Sequence, residues 1–542
     1  MQKWSAFLHN RMQNLIKMQI PSIRLCLLPF ILNWFGDYRG LRFFASASVG
    51  AFFILRILIK LILERGINLK FTISREYLTE GMNVMNGFGL RLTGSEGQQK
   101  FVDYLKDEIH KMGFKTYSDL YSFNRWEEKH SSIKIINSND YDEIEVTSAW
   151  PYSGETDEKG ITEEIVEIYG KHINYLPARG KIALVKVKDL EKVPTGFAFN
   201  QRNSYPKGLS LPKNYKGPVA DSFVKIPLIS VAKAMGVKAV ICVWEGMSDE
   251  MVKGQYLPFI MDYQGIPALW VGEESGEKLK KAAKEKKKVN LVLTAEKEHN
   301  AKTESFYAVI EGKNKKEAII INTHTDGINC VEENGPIAML EMMRHLKDAE
   351  LDRTLIFVFV TGHFRLPNFK EHDIQASSKW LKNHRDMWDG KKGHIKAVAS
   401  LGVEHLGCAE WKDKDGKYQC TNPIDVELVY TANKAMDKVY YDALKDRTMV
   451  RTVTVKGHNF LHFGEGQPPR NVGISDISLV TAPDYLTAIN ETHQMEKFSL
   501  DLMCEQIETF LKITLALDKM STKEIGKPEP YSLVLGKIKS KP

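Results

Sequence analysis

Three apolar stretches of the sequence each run into residues that can hold a metal ion or move a proton. Imidazole nitrogen and carboxylate oxygen are ligands of catalytic zinc sites, and either group can act as a general base. The pattern therefore indicates a metal site. The stretches and the residues after them are Ala318–Asn322 with His324 and Asp326, Leu355–Val360 with His363 and Phe364, and Ile395–Val403 with Glu404 and His405.

These stretches are predicted to be strands of an α/β fold. Each is short and apolar, a fourth follows at Ile477–Val480, and helical spacing occurs between them, as in Ile337–Leu346. The alternation is typical of a mostly parallel (mixed) central sheet with helices on both faces. Because ligands of open α/β sheets bind outside the carboxyl ends of the strands, we expect the histidines and carboxylates to meet there.

Further candidates lie close to the same edge. Glu332 and Glu333 stand between the first strand and the helix that begins near Pro336. His493 follows the fourth strand, after a loop that contains Tyr485. A single histidine or glutamate in a loop is more often a surface or capping residue, but four loops that converge on one edge favour a functional site.

The chain resembles the M28 family of metallopeptidases, which includes aminopeptidases and glutamate carboxypeptidases and shares its fold with the transferrin receptor ectodomain. The resemblance covers about residues 75–520. It also includes a protease-associated (PA) insert. The supporting segments are Gly89–Ser95 before the Phe101–Gly113 helix, Ser305–Gly312 before Ile319–Asp326, and, for the insert, Ala178–Val185, Ala234–Val240 and Ile266–Ala268.

The resemblance implies a zinc site of one or two ions. His324 matches the first ligand, and Asp326 matches the residue that orients it. Glu333 falls at the position of the carboxylate that bridges two metals, with Glu332 one step away. Two terminal ligand positions are matched by Glu404 and His493.

One departure from the family lies at the end of the second strand. The family has a Glu-Glu pair there, a general base followed by a zinc ligand, where this chain has His363 and Phe364. A phenylalanine cannot bind a metal ion. His363 then either accepts the proton or binds metal itself, which leaves the base role to Glu332, His405 or Glu465.

Two residues are predicted to bind substrate. Glu465, in Gly464-Glu465-Gly466, falls on a loop whose family counterpart lines the substrate pocket, and Tyr485 lies in the loop after the fourth strand. For Glu465 an exposed surface turn is an equally good interpretation.

Length and composition limit the architecture. The 542 residues are 43% hydrophobic and 26% charged, which excludes wholesale disorder and a polytopic membrane protein. Six cysteines without a CxxC pair exclude a disulfide framework and a zinc ribbon. We expect a leader at 1–70, a metallopeptidase-like domain at 75–140 and 301–520, a PA-like insert at 141–300, and a loose tail at 521–542.

The basic excess of the chain lies in its first seventy residues, which carry ten Lys or Arg and two Asp or Glu. The other residues have a net charge of −1, which argues against a nucleic-acid partner. Phe43–Leu63 is long enough to cross a bilayer. Because Arg56 and Lys60 project from one helix face, a helix that lies in the membrane interface fits as well as a spanning one. A helix packed in the protein core is the alternative to membrane association. We expect membrane association with the main body outside the cytoplasm; a cytoplasmic location is the alternative.

Two functions are compatible with these features. The first is a zinc-dependent hydrolase of exopeptidase type that cleaves peptide or amide bonds, in which zinc polarises the carbonyl. The second is a non-catalytic binding protein of the same fold. A serine hydrolase is excluded, since the sequence lacks a Gly-x-Ser-x-Gly motif.

Overall fold

The computed structural model describes residues 71–138, 140–168, 174–188, 194–215, 217–224, 226–369, 375–456, 462–489 and 495–530. The predicted leader and the predicted ligand His493 lie outside these ranges. The described part of Phe71–Pro542 forms one compact unit. Among the described residues, no helix is both long enough and apolar enough to cross a bilayer.

Seventeen strands are present in the described ranges. In chain order they begin with β1 Thr116–Ile136, β2 Tyr141–Ile144, β3 Ser148–Ala149, β4 Ile161–Ile168, β5 Ile182–Lys188, β6 Gln201–Tyr205, β7 Ala239–Glu245, β8 Ala268–Val271 and β9 Lys288–Ile310. They continue with β10 Asn314–His324, β11 Arg353–Val360, β12 Lys396–Val403, β13 Glu410–Lys414, β14 Lys417–Asn422, β15 Glu427–Thr431, β16 Thr452–Val455 and β17 Ser475–Leu479.

Fourteen α-helices accompany the strands in the described ranges. The first seven are α1 Arg75–Gly87, α2 Glu96–Lys111, α3 Thr195–Ala198, α4 Pro218–Val224, α5 Ile229–Ala234, α6 Asp249–Val252 and α7 Glu273–Lys284. The others are α8 Gly335–Leu346, α9 Leu366–Phe369, α10 Ser377–Asn383, α11 Lys434–Ala443, α12 Gln467–Asn471, α13 Leu500–Lys519 and α14 Thr522–Ile525.

The centre of the molecule is a mixed sheet. Strands β11, β10, β12 and β17 lie side by side and run parallel, while β9 and β15 flank them in the antiparallel sense. All four parallel strands therefore end at the same edge. The predicted α/β class and its mostly parallel centre are confirmed.

Both faces of the central strands are buried, which explains why their sequences are continuously apolar. In β10, Ile319 and Ile321 pack with α1, α2, α8 and α13 on one face, and Ile320 packs on the other face with Trp380 of α10. This alternation follows from the two-residue period of a strand. Helices on both faces, as predicted, thus hold the strand ends in fixed positions.

The predicted insert and tail contact the main body more closely than the sequence suggests. Strand β6, within the predicted insert, pairs with β16 of the main body. At the other end, the Nδ2 of Asn433 donates to the carbonyls of Ile525 and Lys527 at 2.9 and 3.0 Å. These bonds tie residues 525–527 of the predicted tail to the main body, although six of the ten residues at 521–530 are exposed. The PA-like character of 141–300 stays a prediction.

One buried carboxyl makes the stability of the fold depend on pH. Burial raises the pKa of Asp425 to about 7, although the charge of Lys412 opposes the shift. In the unfolded chain the value is about 3.9, so between these values the native state binds more protons and stability falls as pH rises. Above about pH 7 the loss of stability caused by ionising Asp425 in the native state changes no further with pH.

Asp425→Asn should remove this pH dependence, because an amide carries no charge and its oxygen still accepts from the Val426 N–H. Urea unfolding at about pH 5 and about pH 8 should show the variant gaining stability relative to the parent protein as pH rises. Asp415→Asn, an exposed change in the β13–β14 turn, is the control. A difference between D425N and the parent that is the same at both pH values would contradict the prediction.

Candidate metal centre

The ends of three parallel strands bring histidines and carboxylates together. His324 ends β10, His363 follows β11, and Glu404 with His405 follows β12. Among the described residues two groups of donor atoms form, in each of which the atoms lie within 4.8 Å of one another. The groups are His324 with Glu404 and His405, and His324 with Glu332 and His363.

Each imidazole of the cluster is fixed through its Nδ1 atom. An oxygen acceptor at Nδ1 places the ring proton there and leaves the Nε2 lone pair available, which is the usual arrangement of metal-binding histidines. The three contacts are His324 to the main-chain carbonyl of Asp326 at 2.9 Å, His405 to that of Thr481 at 2.7 Å, and His363 to Oε1 of Glu465 at 3.2 Å.

Glu332 lies where the three imidazoles converge. Its Oε1 is 3.8 Å from Nε2 of His324, 3.6 Å from that of His363 and 4.0 Å from that of His405. Several atoms of this cluster are buried without a hydrogen-bond partner among the described residues. They are Nε2 of His324 and His405 and Oε2 of Glu332 and Glu404.

Burial dominates the electrostatics of the cluster. It lowers the pKa of His324 well below its ordinary value, with the nearby His363 and His405 adding to the effect, and lowers that of His405 to about 3. Burial also raises the pKa of Glu332 and of Glu404 well above the ordinary value. Neutral imidazoles beside carboxylates that lack a counter-charge are the donor set of a divalent cation, so the residues fit a zinc ion.

The two adjacent glutamates, Glu332 and Glu333, have different partners in the structure. Glu333, predicted to bridge metals, forms a buried ion pair with Arg91, whereas Glu332 faces the imidazoles. Arg91 is held in turn by the carbonyls of Met85 and Asn329 at 3.0 Å. The pairing makes Glu332 the carboxylate that faces the cluster, one position away from the expected one.

Arg91→Ala should destabilise the protein strongly, because it leaves the Glu333 carboxylate buried without its counter-charge. Breaking a buried pair in this way costs about 3–5 kcal/mol. Arg75→Ala removes the Arg75–Asp501 pair, whose side chains are 56% and 67% exposed, and should cost less than about 1 kcal/mol. Urea unfolding of both variants measures the difference; equal effects would show that burial of the Arg91 pair is unimportant.

Asp326 acts on two parts of the cluster. Its main-chain carbonyl fixes His324, while its carboxylate accepts hydrogen bonds from the main-chain N–H groups of Gly362 at 3.1 Å and Phe364 at 3.0 Å, and from the Thr93 hydroxyl. Asp326 was predicted to orient His324, and the contact between the two is made by its main-chain carbonyl. Its side chain orients the loop that carries His363.

Glu465 and Tyr485, the predicted substrate-binding residues, are buried, and so is Phe364. Phe364 packs against the rings of Phe259 and Tyr256. Glu465 is fully buried and not in a surface turn, since it binds His363 and accepts from the Ser377 N–H at 2.7 Å. Tyr485, predicted to bind substrate, is 2% exposed, and its hydroxyl donates to main-chain carbonyls of Ala409 and Lys497 at 2.9 Å. The structure therefore places Tyr485 in the packing beneath the loop and not on a substrate surface.

Comparison with known proteins agrees with the fold. No protein-family model and no curated protein matches the chain by sequence. A zinc aminopeptidase from Bacillus subtilis superposes with a TM-score of 0.57 at 15% identity, over 86% of this chain and 100% of the solved one. A peptidase M28 precursor from Shewanella amazonensis gives 0.57 at 14% identity, over 84% and 98%, and an aminopeptidase from Aneurinibacillus sp. strain AM-1 gives 0.52 at 15% identity, over 85% and 96%.

The chain therefore has the fold of M28-type zinc aminopeptidases. At this level of identity the likeness concerns the fold, and function is argued from the site itself.

Proposed function

We propose that the protein is a zinc-dependent hydrolase that cleaves peptide or amide bonds, with an exopeptidase preference. The observation that supports it most is the convergence of the His324, His363 and His405 Nε2 atoms on Glu332. The fold it shares with zinc aminopeptidases adds to the support. A zinc ion bound there would polarise the scissile carbonyl and make water at the site more acidic.

In this proposal His324 and Glu404 hold the ion, and His363 moves the proton. Glu465 accepts from Nδ1 of His363, so Nε2 is the atom that takes a proton from the attacking water and returns it to the leaving amine. His363 is 7% exposed, while His324 and Glu404 are fully buried. The base is therefore the most accessible of these groups, as contact with a substrate requires.

The test uses the purified full chain and two sets of chromogenic substrates, aminoacyl anilides with a free amino terminus and blocked peptides with a free carboxyl terminus. We expect cleavage of one set, loss of activity after treatment with phenanthroline, and recovery on adding Zn²⁺. The proposal fails if zinc-loaded protein cleaves neither set.

A non-catalytic binding protein is the second candidate, and Phe364 is the observation that favours it. The Phe364 side chain is 2% exposed and packs among aromatic rings, so the second strand end supplies one metal-binding residue fewer than the family pattern. Elemental analysis separates the two candidates. Protein purified without zinc, manganese or cobalt, and unable to bind added Zn²⁺, would favour the binding role.

A further inference from the structure

We infer that the described donors hold a single metal ion and that His405, a residue outside the family pattern stated above, is one of its ligands together with His324 and Glu404. This inference deepens the proposed function, since it specifies how the same site binds its ion. It depends on metal binding and is independent of which substrate is cleaved.

The two donor groups cannot be filled at once. Both use His324, whose Nδ1 is occupied by the Asp326 carbonyl, so a single lone pair on Nε2 is available. One lone pair binds one ion. The described donors therefore form one site or the other, and the choice is between His405 with Glu404 and His363 with Glu332.

The backbone at His405 favours the first group. Its φ is +54°, in the left-handed region that residues other than glycine rarely adopt. Strain of this kind is retained where the surrounding structure requires it, and it often marks a functional site. Here it turns the His405 ring to the side of Glu404, although adjacent residues leaving a strand normally point to opposite faces.

The surroundings of the two candidate histidines differ as well. His405 is 3% exposed and its Nε2 has no partner among the described residues. His363 is more exposed, at 7%, which suits a base in contact with substrate better than a buried ligand. Two histidines and one glutamate with a position left open is an established ligand set for catalytic zinc.

Glu332 lies close enough to the same donors to be an alternative occupant of the position left open. Two donors at about 2.1 Å from one zinc ion can lie no more than about 4.2 Å apart. The Glu332 Oε1 atom satisfies this limit with both His324 and His405, at 3.8 and 4.0 Å. The same atom lies 3.6 Å from Nε2 of His363.

A matched pair of variants tests the inference. Asparagine tolerates a left-handed backbone, and its Nδ2 can replace the Nδ1 donor of histidine, but it has no atom at the position of Nε2. His405→Asn should therefore keep the bond to the Thr481 carbonyl and lose the metal ligand. His363→Asn makes the same change beside Glu465.

Zn²⁺ affinity is measured by competition with a chromophoric chelator, and zinc content by elemental analysis. We expect one ion per parent chain, an affinity more than about 100-fold weaker in H405N, and an affinity within about tenfold of the parent in H363N. Two ions per chain, unchanged affinity in H405N, or equal losses in both variants would overturn the inference. Far-ultraviolet circular dichroism checks that each variant folds.

Anomalous scattering at the zinc edge from crystals of the parent protein gives a second measurement that needs no variant. One peak in contact with His324, His405 and Glu404 is expected; a peak that does not touch His405, or a second peak, overturns the inference. Protein that binds one ion in this way but hydrolyses nothing contradicts the proposed function and leaves the inference intact. A hydrolase whose H405N variant keeps its ion contradicts the inference and leaves the function intact.

Discussion

His324→Ala is expected to abolish zinc binding and hydrolysis together. His324 is the residue common to both donor groups, so each possible site loses a ligand with this change. Loss of groups that merely orient a ligand costs about 10–100-fold in metal affinity or activity, and loss of the ligand itself should exceed that range. Zinc content by elemental analysis and hydrolysis of the preferred substrate measure the two effects.

Two further variants make the His324 result interpretable. His324→Asn keeps a donor for the Asp326 carbonyl and guards against a folding defect in the alanine variant. His110→Ala removes an exposed imidazole on α2 and should change neither zinc content nor activity. Full zinc occupancy in both His324 variants would show that this strand end does not hold the ion.

The central sheet could be predicted because its physical cause is visible in the sequence. Leu355–Val360 and its neighbours are continuously apolar since both faces are buried, and such runs are recognised without knowing their partners. His324, His363 and Glu404 could be identified because they stand at or just after the ends of these recognisable strands. Their convergence depends on parallel alignment of the strands, which the alternation with helices already indicated.

The choice between Glu332 and Glu333 depends on a contact that the sequence does not reveal. Arg91 lies 242 positions before Glu333, and its guanidinium holds that carboxylate. Neither spacing nor composition indicates which of two adjacent glutamates it will meet. The burial of Glu465 could not be predicted for the same reason. Its main-chain carbonyl accepts from Nδ2 of Asn322 at 2.8 Å, and its N–H donates to Oε1 of Glu404 at 2.6 Å; both partners are distant in sequence.

The sequence placed His405 at the sheet edge but gave it no role other than that of an alternative base. Adjacent residues in a strand point to opposite faces, so the strand pattern alone does not bring the side chains of Glu404 and His405 to one ion. The left-handed turn at His405 cancels this rule. A single sequence does not reveal that a histidine adopts a left-handed backbone conformation, because residues other than glycine rarely do so.

His363→Ala is expected to reduce kcat by about 10²–10⁴-fold while the protein keeps its zinc, because the change removes the group that transfers the proton. KM should change little, since His363 is assigned to proton transfer and not to ground-state binding. Steady-state kinetics on protein with verified zinc content separates the two constants. Undiminished turnover would show that another group is the base.

Glu465→Gln tests how His363 is positioned. The carboxylate accepts from His363 Nδ1 at 3.2 Å and from the Ser377 N–H at 2.7 Å, so a glutamine can keep the shape of the site but not its charge. Because the glutamine no longer offers a charged acceptor to Nδ1, we expect a smaller loss of kcat in E465Q than in H363A, with KM and zinc content unchanged. Added to H363A, the E465Q change should cost nothing further in kcat if Glu465 acts only through His363. Additive losses in the double variant would show that the two residues act separately.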